Sequence, residues 1–349
     1  MERERGFRVD DDPGLPPRAA IEAAHAAGRI PDTVVAGRLV GDGPADALEL
    51  VDVTAGQLAQ LCEGRRLPRW VAAKNPLADG FVKTKALMRS SDLVTVCEEA
   101  ACPNIGQCWS RGTATFMIAG SRCTRGCRFC NVTTARPLGP PDPDEPRRVA
   151  EAAATMGLRF VVVTAVARDD LPDGGAAHFA DVIAALRERL PDAGVEVLIP
   201  DLRGSWDALD AIIEAAPDVL NHNTETVPRL YSRVRPGARY ERTLELLARS
   251  AASGLTTKSG IMVGLGETLP EVHAVLADLA AVGCGPVTVG QYLRPSAAHL
   301  PVSRYYAPAE YPAIAAAGRE RGLAHVEAGP LVRSSYEADR VADAALAGV

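Results

Sequence analysis

The stretch GTATFMIAGSRCTRGCRFCNV, residues 112–132, joins an apolar run to three cysteines, Cys123, Cys127 and Cys130. TATFMIAG is continuously apolar, as a strand covered on both faces is, rather than alternating like a half-exposed one. A polar loop follows it directly, and the same order of events recurs downstream. RRVAEAAATMG leads to FVVVTAV and the loop ARDDLPDGG, HFADVIAALRERL to GVEVLIPD and LRG, and WDALDAIIEAA to DVLNHN and TETVPR. TLELLARSAASG then leads to TTKSGIMVGLG, EVHAVLADLAAVG to PVTVGQYLRP, and AEYPAIAAAGRERG to AHVEAGPL. Repeated βα units predict a parallel α/β fold, and periodicity alone fits either a doubly wound sheet or a barrel. Polar and glycine-rich sequence gathers after the strand C-termini, as on the active rim of a barrel. The expected fold is therefore an open or partial (β/α)6 barrel.

The chain has 349 residues, 47% apolar and 23% charged, enough for a large core and one catalytic domain with extensions. A net charge of −6 gives no overall basic field, which argues against nucleic acid or an anionic membrane as default partners. MERERGFRVDDDPG carries charges where a signal peptide needs an apolar run, and no later stretch is apolar for the length of a bilayer. The expectation is a cytoplasmic protein acting as a monomer. Residues 1–62 are rich in Ala, Gly, Pro and Asp and read as a partly ordered extension. Residues 63–112 carry a first cysteine group, residues 113–330 the barrel, and residues 331–349 a C-terminal segment with the motif RSSY.

Eight cysteines in a reducing compartment point to metal or redox chemistry rather than disulfides. Cys62 and Cys284 stand alone and read as ordinary small apolar residues. The other six form two triads, Cys97, Cys102 and Cys108, then Cys123, Cys127 and Cys130. For the second triad, an odd number disfavours disulfides, and structural zinc wants four closed ligands, commonly two CxxC pairs. Three thiols in eight residues beside Arg122, Arg125 and Arg128 are not a core pattern, and those arginines are expected to lower the thiol pKa values. The fourth reading, beside a zinc site that the spacing leaves open, is a [4Fe-4S] cluster, which takes thiolates and can leave one iron without a protein ligand. In the first triad, Pro103, Asn104 and Gly106 predict a turning loop able to aim three thiolates inward.

CxxxCxxC with Phe129 before its last cysteine, directly after the first strand of a parallel barrel, resembles the radical S-adenosylmethionine (SAM) superfamily. With CEEAACPNIGQC, NHNTETVPRLYSRVRPGA, TKSGIMVGLGE, VGQYLRPSAAHLPVSRYYAP and AGPLVRSSY, the chain is similar to sulfur-inserting members of that superfamily from about Trp70 to about Asp339. Residues 1–62 lie outside the resemblance.

The resemblance implies two [4Fe-4S] clusters. One, on Cys123, Cys127 and Cys130, offers its open iron to SAM. The other is an auxiliary cluster held by Cys97, Cys102, Cys108 and Ser335 of RSSY. It implies insertion of sulfur from the auxiliary cluster at C6 and C8 of an octanoyl chain on a carrier lysine. Such C–H bonds are beyond acid–base catalysis and need a radical. The implied partners are octanoylated lipoyl carrier domains (dehydrogenase E2 subunits and the glycine-cleavage H protein), an electron donor such as ferredoxin or flavodoxin, and an iron–sulfur carrier that rebuilds the spent cluster. By the same resemblance Thr164, Arg168 and Asp169 meet the methionine end of SAM and Asn221, Asn223 and Glu225 its ribose. An Arg168–Asp169 loop pair and a helix cap at NHN are the plainer alternatives. Gly264 and Gly266 read as a tight turn near the cofactor. Lys258, a charge inside a strand, reads as a carboxylate or substrate contact, or as a lysine neutralised by a structural carboxylate. Arg229, Arg233, Arg235 and Arg239 read as a face for an acidic carrier or simply a solvated one.

Overall fold

A computed structural model describes residues 34–40, 47–53, 68, 79–136, 139–336 and 338. Cys62, the other residues of 1–62, Trp70 and the end of the C-terminal segment lie outside the described residues. Strands β1 (Val34–Val40) and β2 (Ala47–Val53) form an antiparallel hairpin within the N-terminal extension. Helix α1 (Asp79–Ser90), strand β3 (Val94–Thr95), and the short helices α2 (Val96–Glu99) and α3 (Ile105–Ser110) lead into β4 (Thr115–Ile118), the TATFMIAG run. Two-residue strands β5 (Arg122–Cys123) and β6 (Thr133–Thr134) pair in parallel and bracket the cysteine loop.

Helix–strand repeats follow: α4 (Glu145–Thr155) with β7 (Phe160–Ala165), α5 (Ala176–Arg189) with β8 (Gly194–Leu198), and α6 (Trp206–Glu214) with β9 (Val219–Asn221). After the single-turn α7 (Tyr231–Val234) come α8 (Tyr240–Ala252) with β10 (Thr256–Val263), α9 (Leu269–Ala281) with β11 (Pro286–Gln291), and α10 (Tyr311–Glu320) with β12 (His325–Gly329).

The main sheet runs β3-β4-β7-β8-β9-β10-β11-β12. Every neighbouring pair is parallel except β3 with β4. Strand order follows chain order with no reversal, so there is no switch point of the doubly wound kind. β3 and β12 do not pair, and the sheet is an open barrel. Strands β4 and β11 are buried along their whole length, which explains why neither alternates with charged residues. One core cluster unites Phe116, Val161 and Val195 with Trp109 and Cys97, so the segment ahead of β4 is built onto the first half of the barrel. There Phe81 packs on Trp109 with ring centroids 5.1 Å apart. A second cluster centres on Ile261, Val287 and Val289 with Tyr292, Tyr306 and Tyr311. Cys284 is buried in it, as expected of a small apolar residue. Among the described residues no helix is long and apolar enough to cross a membrane.

Candidate functional site

The CTRGCRFC loop leaves the sheet at β5 and is tied to the barrel rim on two sides. Thr124 donates its N–H and its hydroxyl to Ala167 O, each at 2.9 Å, and accepts the Asp169 N–H at 3.0 Å. Cys123 Sγ accepts the N–H groups of Arg125 and Ala167 at 3.4 and 3.3 Å. Opposite, the Arg128 N–H donates to Val234 O at 3.0 Å, the Leu300 N–H to Arg128 O at 3.1 Å, and His299 Nε2 lies 3.0 Å from Cys130 O. Phe129 packs against the second core cluster.

Arg125 locks the loop from within. Its Nε and Nη2 reach Asp169 at 2.8 and 2.7 Å, and Nη1 reaches the buried Asp201 at 2.5 Å. Burial alone would raise the Asp201 carboxyl, but Arg125 foremost outweighs it and holds it below the usual range. Burial outweighs the lowering pull of Arg235 and Arg125 on Cys127, so the expected net lowering is not found at Cys127 or Cys130. The Arg125 charge is taken up by two carboxylates, Arg122 and Arg128 are exposed, and burial pushes Cys130 up to about 12 and raises Cys127.

The first triad is arranged on two short helices. Thr95 caps α2 by accepting the Glu98 N–H at 3.3 Å, and Cys97 sits buried on that turn. Ala101, at φ 49°, reverses the chain before Cys102, and α3 brings up Cys108. Burial and then the neighbouring Cys97 and Cys102 push Cys108 up to about 12, and burial raises Cys97 to about 11. The three thiols are thus one another's neighbours. The C-terminal turn lies against this loop. Asn104 Nδ2 donates to Leu331 O at 2.7 Å and Gln107 Nε2 to Tyr336 Oη at 3.2 Å, with half-buried Ser335 between those two contacts along the chain.

The triads fit iron–sulfur clusters by their donor chemistry. Buried, mutually repelling thiols are poor sites for free thiolates, whereas metal ions take coordinating thiols deprotonated outright. Trp109 Nε1 is a buried donor that faces the Cys97 thiol and favours its ionised form. Among the described residues no three His, Cys, Asp or Glu side chains close on a single-ion position.

Inside the barrel several candidates are already engaged. Thr164 Oγ1 donates to Leu198 O at 3.0 Å. Arg168 is buried, with Nε and Nη2 each 2.9 Å from Asp170 and Nη1 3.1 Å from Ala119 O. The loop pairing considered for Arg168 and Asp169 is thus corrected: Arg168 binds Asp170, while Asp169 turns to Arg125. Lys258 Nζ contacts both Glu196 oxygens at 3.0 and 2.9 Å, and Asn221 Nδ2 donates to Glu196 Oε1 at 2.8 Å. Asn223 Nδ2 donates to Ser334 Oγ at 3.1 Å, and the Oδ1 atoms of Asn221 and Asn223 are buried without a partner. Glu225, at φ 68°, has its carboxyl raised by burial and is close enough to add to the raised pKa values of Cys127 and Cys130.

The basic run is not one face. Arg229 pairs with Glu271 at 2.7 Å and Arg233 and Arg239 are exposed, but Arg235 turns inward, donating to Asn223 O at 2.7 Å and Tyr231 Oη at 3.1 Å. Gly264 sits at φ 104°, where a Cβ would stand 2.6 Å from Arg304 O. Gly264→Ala is expected to cost about 2 kcal/mol or more, from left-handed strain plus overpacking, as a lowered urea midpoint with unchanged slope. Sequence reading passed over Asp201, Gln107 and His299, and named Arg125 only as a charge beside the thiols and Asn104 only as a turn residue. Asp201 alone left a signal, a carboxylate closing the apolar run GVEVLIP.

An open barrel in chain order, whose first strand runs into CxxxCxxC, defines a radical SAM protein. A family profile described as the Radical SAM superfamily matches residues 117–279, and one for the N-terminal domain of lipoyl synthase matches residues 44–102, reaching back into the N-terminal extension. Over 274 residues the chain is 57% identical to lipoyl synthase of Nitratidesulfovibrio vulgaris (strain DP4), covering 78% of this chain and 92% of that protein. It is 55% identical over 280 residues to lipoyl synthase of Methylococcus capsulatus, covering 79% and 87%, and 50% identical over 297 residues to that of Chloroflexus aurantiacus (strain J-10-fl), covering 84% and 97%. The chain belongs to the lipoyl synthase family.

Proposed function

We propose that this chain inserts sulfur at C6 and C8 of an octanoyl group held in amide linkage on a carrier-protein lysine, giving lipoyl-lysine. The observation that carries the reading, beside family membership, is the pair of thiol triads, each three buried or half-buried cysteines near enough to raise one another's pKa values, on one barrel. Cys123, Cys127 and Cys130 would hold the cluster that binds SAM, and Cys97, Cys102, Cys108 and Ser335 the auxiliary one. Together these groups supply one-electron cleavage of SAM, hydrogen abstraction from an unactivated carbon, and the sulfur.

The chain's own residues orient and shield. Arg125, spanning Asp169 and Asp201, keeps the cysteine loop from shifting, and the Arg125 and Ala167 N–H groups fix the position of the Cys123 sulfur. Asn221, Asn223 and Glu225, with two unpartnered amide oxygens among them, are the residues we assign to SAM, with Thr164 beside them. Lys258 and Arg168 set the walls through their ion pairs. Residues 63–112 form the auxiliary segment, 113–330 the barrel, and the segment from 331 carries Ser335. The carrier is a lipoyl domain, with a small redox protein as electron donor.

Anaerobic reconstitution with SAM, reductant and an octanoyl-lysine peptide tests this. A product heavier by two sulfurs is expected, whereas SAM cleavage without thiolated peptide would overturn the assignment. Ser335 offers a hard oxygen among soft thiolates, so the iron it holds is the most easily released. Ser335→Ala is expected to keep SAM cleavage yet lower dithiolane formation by more than about 100-fold, beyond the loss usual for residues that merely support metal ligands. Mass measurement of the peptide checks it.

A further inference from the structure

We propose that Asn223 is a positioning residue for Ser335: its amide, bonded to the Ser334 hydroxyl across 3.1 Å, holds the turn that carries Ser335 against the auxiliary triad. The proposal rests on the two-cluster reading above and extends it, because Asn223 belongs to the loop after β9, on the barrel side.

Three independent features build this contact. The Asn223 backbone is fixed, its carbonyl accepting Arg235 Nη1 at 2.7 Å. Room for its side chain is kept by Gly260 in β10, where a Cβ would stand 2.8 Å from Asn223 Oδ1. Room for the turn is kept by Gly290 in β11, where a Cβ would collide with Val332 O and stand 3.1 Å from Arg333 Nη1. Two neighbouring strands thus carry glycine where the amide and the turn cross them. Either orientation of the amide preserves the bond, since a hydroxyl both donates and accepts. From the other side Asn104 and Gln107 grip Leu331 and Tyr336. The turn is therefore suspended between the barrel rim and the triad loop, and Ser334, next to Ser335, is the rim's handle on it. A shift of the loop after β9 would be passed to the fourth ligand of the second cluster.

The test is a cycle of Asn223→Ala, Ser334→Ala and the double variant in the full chain without SAM, with two readouts. Amide hydrogen exchange over residues 331–336 needs no iron, and chelator-driven loss of auxiliary iron is followed by Mössbauer spectroscopy after reconstitution. Each single variant is expected to quicken both by about three- to tenfold, the worth of one hydrogen bond, and the double variant no further than either single one. Wild-type exchange rates in the single variants would overturn the proposal. So would quickened exchange with unchanged iron loss, or effects that multiply in the double variant. Wild-type protein that takes up about four irons rather than about eight would sink the two-cluster reading itself, a failure separate from any result on exchange.

Discussion

A Cys123→Ala variant is expected to lose SAM cleavage by at least about 10⁴-fold, the scale seen when one member of a unit that acts together is removed. The reason is local. Cys123 is the first of three thiols in one loop, and its sulfur already accepts two backbone N–H groups, from Arg125 and Ala167. The loop should keep its course without the sulfur, because Thr124 and Arg125 tie it to Ala167, Asp169 and Asp201. Iron is therefore expected to fall from about eight to about four atoms per chain with an unchanged circular dichroism spectrum. Methionine release from SAM gives the activity. A variant that keeps both eight irons and SAM cleavage would refute the assignment of this loop.

Lys258→Met is expected to destabilise the fold by about 3–5 kcal/mol, because it strands the Glu196 carboxylate in the barrel interior. Lys258 and Glu196 are 1% and 0% exposed, so water cannot replace the lost partner. The variant Lys258→Met/Glu196→Gln separates charge from packing. Glutamine keeps an oxygen to accept the Asn221 amide, now 2.8 Å from Glu196, and leaves no unpaired charge. That double variant is expected to recover most of the loss in urea unfolding. If it is as unstable as the single variant, packing of the lysine stem rather than charge pairing explains the cost.

Much of this molecule was legible in sequence wherever a local pattern carries the information. TATFMIAG, FVVVTAV and PVTVGQ form strands covered on both faces, and their largely apolar sequence without alternating charges said so. The cysteine spacings exposed both triads because each lies within a short loop. What stayed hidden depends on partners far apart in the chain. Lys258 left two readings open until Glu196, 62 residues away, was seen opposite it. Arg168 and Asp169 are adjacent in sequence yet turn to different partners, and Arg235, part of a run that looked like surface, faces inward. The bond from Asn223 to Ser334 spans 111 residues and joins two polar side chains common in any turn, so nothing local marks it.

The contact of Asn104 with Leu331 closes a loop of 227 residues. Closure entropy grows with the logarithm of loop length, and distant contacts form only after the structure between them has ordered. On a ribosome the first triad emerges early, the barrel strands follow in the order in which they pair, and RSSY comes after all of them. The auxiliary site proposed above would thus form only after the barrel strands, and a nascent chain would present those strands beside three thiols before the serine proposed to join them has been made.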